Sequence, residues 1–420
     1  MTMSLREDGL DPAAIETQLD ELRSKDMDRQ IPGWEARSFL YNFHVSWELK
    51  SLASRAQEKF LWTDILSSQN YPSIGRLEGE LIDYALDLLG GTDESAGTIT
   101  TGGSESIFLG IKSAREWARE HKPHIKTPEM VSPRTAHPAF SKAAELLGIK
   151  DVRVATADDF AADPGLMESA INENTIALVG SAPQYWHGVF DPIVDLGELA
   201  KARDVWLHVD ACLGGFLAPW ARGLGRPIPD FDLAVPGVRS LSADHHKYLY
   251  SSKGTSALLF QHARDAGYYM FDWQGATDIS EYRTRGINGT VSGGPIAAAW
   301  AVMNVLGKKG YLKLTRSIMN TVDKLAAAIE ETDGIVLHCA PQLSILSIGS
   351  SELDINRVPP LLAKRNWFVN NFGSPSAVHL RIAPAHEAVT DEFIKDLQES
   401  VSAVRRGESA DDFRAISYSD

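Results

Sequence analysis

The sequence predicts an α/β protein, a mostly parallel sheet covered by helices on both faces, followed by a small C-terminal α+β domain. Three observations carry that expectation. The short apolar runs "EMVSP", "DVRVAT", "TIALVGSAP", "VWLHVDAC" and "RSLSAD" alternate with the helical patterns "AFSKAAELLG", "DPGLMESAINE" and "VDLGELAKAR". Strand, helix, strand at this spacing builds parallel pairs whose two faces are both buried. Beyond a long helical stretch that begins near Pro295, "IVLHC", "LSILSIG", "WFVNNF" and "VHLRIAP" read as strands, closed by the helix "TDEFIKDLQESVSAVRR". Finally, 420 residues with 44% hydrophobic and 23% charged content describe an ordinary globular protein with room for one large domain and a smaller one.

In chain order, residues 1–60 form an N-terminal helical arm. It is interrupted by the aromatic-rich "QIPGWEARSFLYNFH", which either wraps a partner or packs into the chain's own core. A helix is expected over 76–89, with Leu77, Leu81, Tyr84, Ala85 and Leu88 on one face. The run Thr98, Ile99, Thr100, Thr101 follows, then an amphipathic helix over 104–119. The large domain is set at 61–305, the small domain at 306–406, and a polar tail, "GESADDFRAISYSD", at 407–420.

Charge and composition narrow the functional classes. Forty-one basic residues against fifty-six acidic give a net charge of −15, which argues against nucleic acid or an anionic membrane as partner. No apolar run approaches the roughly 20 residues needed to span a bilayer. The start "MTMSLREDGLDPAAIE" lacks the apolar core of a secretion signal. Two cysteines, Cys212 and Cys339, make no disulfide framework and no metal-ligand cluster. A soluble cytoplasmic protein without a metal is expected.

Ligands on such sheets sit beyond the carboxyl ends of the strands, where "SAPQYWHG", "HVDAC" and "SADHHK" fall. Four features gather there. "TTGGSES" puts Gly102, Gly103 and Ser104 at a helix start, where outward N–H groups and the helix dipole favour an anion such as phosphate. "RTAHPAF" places His137 just before a helix, able to lie flat on an aromatic ligand or simply to cap. "LHVDACLGG" ends an apolar strand in Asp210, a carboxylate that needs a partner to offset its desolvation. "SADHHK" ends in Lys247. One small molecule makes sense of all four: pyridoxal phosphate needs a lysine for a Schiff base, an acid against its pyridinium nitrogen, a phosphate cradle and a group to sandwich its ring. Lys247, Asp210 and His137 are thus the catalytic candidates. No G-x-G-x-x-G follows a strand, so a nicotinamide dehydrogenase is disfavoured.

At this point the chain resembles the sphingosine-1-phosphate lyase branch of the group II pyridoxal-dependent decarboxylases. The stretches carrying the resemblance include "GRLEGELI", "TTGGSESI", "AHPAFSKAAELLGI", "SAPQYWHGVFDPI", "LHVDACLGGFLAPWAR" and "PIPDFDLAVPGVRSLSADHHKY", from about residue 60 to 400. The resemblance implies the type I, aspartate aminotransferase-like fold with a mostly parallel seven-stranded sheet. It also implies a homodimer with active sites at the interface, to whose phosphate cradle residues 286–294 of each subunit reach across. The family's S-x-D-x-H-K motif falls on Ser242, Asp244, His246 and Lys247, which makes Lys247 the Schiff-base lysine, adds Ser242 to the cofactor-binding set and puts His246 near the cofactor phosphate. His245 stands where the family varies.

The departures cluster where substrate would bind. The lyases' N-P-L-H stretch is Asp64, Ile65, Leu66 and Ser67 here, and an aspartate facing a phosphate dianion would repel it. The lyases' tyrosine-bearing loop ending in G-S-R-P-G-G is replaced by the longer "DWQGATDISEYRTRGINGTVSGG", in which Tyr282, Arg283 and Arg285 are candidates to serve instead. Arg381, in "VHLRIAPAH", stands where several decarboxylases of the wider superfamily hold the substrate carboxylate, and a guanidinium suits a carboxylate in a two-point fork. The expectation is therefore a carbon–carbon lyase acting on an amino substrate that keeps the cofactor chemistry and has changed substrate. Decarboxylation of an amino acid ranks first, and retro-aldol cleavage of a β-hydroxy amine or phospho-amino alcohol second.

Overall fold

Strands form where β-branched and aliphatic residues must be buried on both faces, and the apolar runs of the central chain satisfy that demand. The computed structural model describes residues 8–40, 43–66, 69–273, 282–373 and 375–408. Its large sheet contains β1 (Ala96–Thr100), β2 (Glu129–Pro133), β3 (Lys150–Val154), β4 (Thr175–Ser181), β5 (Trp206–Asp210), β6 (Val238–Ala243) and β7 (Ser256–Phe260). The spatial order is β1-β7-β6-β5-β4-β2-β3, seven strands as expected. Strands β2 to β6 pair in parallel, and β7 runs antiparallel to both of its neighbours. Every residue of β2, β4, β5 and β7 is buried, as a sheet covered on both faces requires. The helices Gly103–His121, Ala139–Leu147 and Ile193–Arg203 supply that cover.

A short hairpin, β8 (Phe271–Trp273) and β9 (Tyr282–Thr284), follows the large sheet. The helix Gly294–Glu330 then crosses to the small domain, and the division expected at 305/306 falls inside it, beside Gly307, where φ of 53° leaves helical geometry. The small domain is an antiparallel sheet of β10 (Val336–Leu337), β11 (Ile345–Gly349), β12 (Asn370–Gly373) and β13 (Ser376–Arg381) in the order β10-β11-β13-β12, with the helix Thr390–Arg405 packed against it.

Boundaries moved at several elements. The helix expected over 76–89 is Pro72–Leu88, because Pro72 supplies a ready first turn whose missing N–H costs nothing. The "WFVNNF" strand starts later, at Asn370, since Trp367 is turned into the core with its indole N–H donating to Asp396.

The aromatic segment of the arm packs on its own subunit. Phe39 is 2% exposed and stacks on the His386 ring at 4.1 Å, its N–H donates to the Phe368 carbonyl, and Trp34 lies 4.7 Å from the Phe368 ring. Of the two readings of that segment, burial in the chain's own core is the one observed. Residues 1–7 of the arm, and the tail from 409 onward, lie outside the described residues.

Candidate active site

Parallel neighbours end on the same edge of the sheet, so the last residues of β5 and β6 stand side by side. Asp210 closes β5 in register with Ser181 of β4 and Ser242 of β6. From Ala243 the chain turns through Asp244, His245, His246 and Lys247, with the Lys247 N–H donating to the Asp244 carbonyl and the Tyr250 N–H to that of Lys247. The turn swings the Lys247 side chain back over the strand ends. Its ammonium lies 3.1 Å from Asp244 Oδ2, and the side chain keeps 20% of its surface exposed, enough to meet a ligand.

The charges here are mutually dependent. Desolvation works against the Lys247 ammonium, but Asp244, Cys212 and Asp210 outweigh it and raise its proton affinity. Burial likewise opposes the Asp244 carboxylate, and Lys247 and His246 reverse the balance, so its pKa falls below the usual range. His246 Nε2 sits 3.6 Å from Asp244 Oδ2, and its Nδ1 donates to the Thr255 carbonyl at 3.1 Å. Asp210, 9% exposed, accepts the Cys212 N–H at 3.0 Å through Oδ1. His137 lies within electrostatic reach of Asp210, Lys247 and Asp244, and burial keeps it neutral by lowering its pKa. Its Nδ1 accepts the Ala139 N–H at 3.1 Å, so it does cap the following helix while its ring remains at the site.

The glycine pair earns its place by conformation at one position and by space at the other. Gly102 has φ of 152° and ψ of 168°, a region open in practice only to glycine. A Cβ on Gly103 would meet both Asp244 carboxylate oxygens at 2.8 Å and the Cys212 sulfur at 3.0 Å. The loop backbone therefore presses against the Asp244 carboxylate, and the helix beginning at Gly103 presents its first-turn N–H groups there, Ser104 among them. Glu105 fastens the loop from beneath: it accepts the Thr101 N–H and hydroxyl at 2.7 and 2.6 Å, and the Ile287 N–H at 2.8 Å.

Arg381 is no surface residue. At the end of β13 it is 2% exposed, its guanidinium stacks 4.6 Å over the Phe43 ring, and its charge reaches Tyr248 and Lys253. A cavity of about 240 Å³ beside His246 is lined by Phe43, His44, Tyr250 and Lys253. Lys253 is exposed overall, yet its amine reaches inward to 5.6 Å from the Phe43 centroid, and desolvation there, with Arg381 and Lys247 nearby, lowers its pKa to about 8. The sequence reading passed over Lys253 and gave Asp244 no role. The D-x-x-K spacing, three residues along a turn, was the available signal for Asp244.

The two other substrate candidates stand apart from Lys247 within this subunit. Asp64 is bridged to Ser292, and its neighbours Ile65 and Leu66 line a different pocket, of about 470 Å³, with Thr101, Glu105, Arg283 and Arg285. Tyr282 begins β9 opposite Trp273, and its backbone position is all that is described; Ser67 and residues 274–281 lie outside the described residues. His245 is a core histidine: fully buried, bonded through Nδ1 to the Thr255 hydroxyl, and lowered by burial to about 3.

The site's donor set fits pyridoxal phosphate: a lysine amine, a buried acid on the adjacent strand, an imidazole, and a glycine cradle in which a single added Cβ would collide. Comparison with known proteins agrees. Residues 11–346 match the pyridoxal-dependent decarboxylase conserved domain. The chain is 38% identical over 363 residues to a sphingosine-1-phosphate lyase of Oryza sativa subsp. japonica, covering 84% of this chain and 66% of that protein. It is 36% identical over 408 residues to sphingosine-1-phosphate lyase 1 of Mus musculus, covering 96% and 70%. The chain thus spans about two thirds of the length of these curated relatives. Among solved structures, the sphingosine-1-phosphate lyase of Burkholderia pseudomallei K96243 superposes with a TM-score of 0.90 at 33% identity, covering 97% of this chain and 94% of that one. A Lactobacillus brevis glutamate decarboxylase, with a TM-score of 0.82 at 16% identity over 99% of this chain and 96% of its own, shares the fold.

Gly103→Ala tests the cradle. With its Cβ 2.8 Å from the Asp244 oxygens, the variant is expected to fold normally and to bind pyridoxal phosphate at least about tenfold more weakly, since about 1.4 kcal/mol of displacement suffices. Fluorescence titration of the apoprotein measures this, and unchanged affinity would mean that the loop does not contact the cofactor.

Proposed function

The chain belongs to the pyridoxal-dependent decarboxylase family, and from that premise we propose that it is a pyridoxal phosphate-dependent carbon–carbon lyase that cleaves a β-hydroxy amine or phosphorylated amino alcohol by retro-aldol chemistry. The observation that carries the choice of reaction is the kinship to sphingosine-1-phosphate lyases over most of the chain. It reverses the order drawn from the sequence, in which decarboxylation came first.

Bound pyridoxal phosphate supplies an electron sink for the bond broken beside the amine-bearing carbon. The chain's residues do the rest. Lys247 would hold the cofactor through its amine. Asp210, desolvated at the strand end, keeps a proton on the ring nitrogen. His137 would cover the ring; with Nδ1 occupied by the Ala139 N–H, its Nε2 carries the proton and can donate. Gly102, Gly103 and Ser104, with Ser242 and His246, hold the phosphate end. Which bond breaks depends on how the substrate is turned against the ring.

A retro-aldol step needs a base for the β-hydroxyl proton. Lys253, with its pKa lowered to about 8 beside Arg381 and Lys247, is suited to it in this subunit. Arg381 favours a second reading: a buried guanidinium on the same side of the site fits a substrate carboxylate, and so amino-acid decarboxylation. The same cation also suits a substrate phosphate.

Assembly belongs to this reading as well. The chain acts as a homodimer, residues 286–294 contributing to the partner's phosphate cradle; within one subunit Glu105 ties the start of that segment to the loop at Thr101. Asp64, bridged to Ser292 beside a separate pocket, fits a role across the interface, and Tyr282 is assigned there with it. The described residues hold no helix long and apolar enough to cross a membrane.

The deciding experiment incubates the cofactor-loaded enzyme with phospho-amino alcohols and with amino acids, following aldehyde and CO2 separately. Aldehyde from a β-hydroxy amine without CO2 is expected. CO2 without aldehyde would establish the second reading, and neither product would refute both. The pH profile offers a further check. A base must be deprotonated to act, so kcat/KM should rise as pH passes through about 8, and Lys253→Met should remove that limb. A limb that survives the substitution would exclude Lys253 as the base.

A further inference from the structure

Asp244 has no part in the cofactor assignment above, yet it is the most tightly involved carboxylate at the site. It is 2% exposed. Its Oδ2 faces the Lys247 ammonium at 3.1 Å and the His246 imidazole, whose pKa burial lowers, at 3.6 Å. Its Oδ1 is buried with no hydrogen-bond donor among the described residues. A buried carboxylate oxygen without a donor is costly, and such groups need an explanation. Both oxygens press against Gly103, so the carboxylate is wedged between the phosphate loop and the lysine and has no room to turn away.

An ammonium has three N–H donors and a flexible stem, so it can serve either oxygen of such a carboxylate. During turnover the lysine must let go of the cofactor, become a full cation in a desolvated cleft, and later return. The exchange needs no outside proton. The substrate amine arrives as an ammonium and enters the linkage to the cofactor. Lys247 leaves carrying the same number of protons. What the exchange does need is an anion to receive the outgoing charge, because an unpaired ammonium out of water is heavily penalised.

We infer that Asp244 is a positioning residue that receives the Lys247 ammonium whenever the lysine is not bonded to the cofactor, and thereby tilts the exchange toward captured substrate. The inference rests on Lys247 being the cofactor lysine and is independent of which substrate bond is cleaved. The upward pull of Asp244 on the lysine's proton affinity has the required sign.

Trace labelling of the apoprotein with acetic anhydride across a pH series, read by peptide mass spectrometry, tests it directly. Wild-type Lys247 should become reactive at higher pH than exposed lysines of the same chain. In Asp244→Asn the midpoint should fall, giving at least about tenfold more labelling at a fixed pH below it, a shift of one pH unit. With loaded enzyme, the variant should raise KM at least about tenfold and change kcat less; a merely structural defect would instead lower kcat and cofactor content together. Wild-type Lys247 reacting at or below the pH of exposed lysines would overturn the inference even if Asp244→Asn failed to fold, as would a folded variant whose labelling stays within twofold of wild type. Pyridoxal phosphate should protect Lys247 from the reagent in both proteins. Absence of protection in the wild type would refute the cofactor reading itself, separately from the role of Asp244.

Discussion

The site depends on keeping one ammonium charge inside the cleft, beside two carboxylates. Unit charges about 4 Å apart attract by about 4 kcal/mol at the effective dielectric of a protein's outer interior, and desolvating each ion costs several kcal/mol in the other direction. Lys247 and Asp244 therefore gain little stability from each other, and a pair of well-packed apolar residues would serve the fold equally well. What the pair provides is a lysine whose charge is neutralised inside the cleft, next to a second buried acid, Asp210, on the neighbouring strand. Burial alone would push Lys247 toward its neutral form and Asp244 toward its own; together the two remain ionised.

The sheet makes that arrangement possible. Parallel strands β4, β5 and β6 end along one edge, so Ser181, Asp210 and Ser242 fall into one row by register alone. The antiparallel β7 then returns the chain beneath the turn that carries Lys247, and Thr255, just before it, fixes both His245 and His246 through its hydroxyl and carbonyl. Gly103 closes the other side, its missing side chain allowing the phosphate loop to reach the Asp244 carboxylate. The small domain contributes Arg381 from the end of β13 and, through Ile382, an acceptor for the Tyr248 hydroxyl next to Lys247. Large sheet and small domain thus meet at the lysine.

Much of this was legible in the residues. The alternation of apolar runs and helical patterns located β2 to β6, and the order of glycine pair, histidine, aspartate and lysine identified the cofactor before any contact was known. Other parts were hidden for physical reasons. "TSALLF" has the composition of any buried strand, and nothing local marks β7 as the strand that runs backwards. Composition cannot tell the core histidine His245 from its neighbour His246, since only the course of the turn after β6 decides which faces inward. Arg381 looks like a strand arginine until the packing of Phe43 and β13 buries it. Asp64 entered as the counterpart of the lyases' N-P-L-H stretch and Tyr282 as a candidate in a longer loop; one subunit places Asp64 beside Ser292, where its neighbours line another pocket. A further limit explains the ranking of reactions: the cofactor residues specify the electron sink, and the bond it breaks is chosen by substrate contacts that sequence pattern resolves poorly.

The central claim is that the Lys247 nitrogen, and no other amine, carries the cofactor. Borohydride reduction of the protein loaded with pyridoxal phosphate, followed by peptide mapping, tests it most directly. A single reduced pyridoxyl group on Lys247 is predicted, with Lys253 unmodified although its lowered pKa makes its amine the more nucleophilic of the two. A pyridoxyl group found on Lys253, or scattered over surface lysines at the level of a non-specific protein, would contradict it.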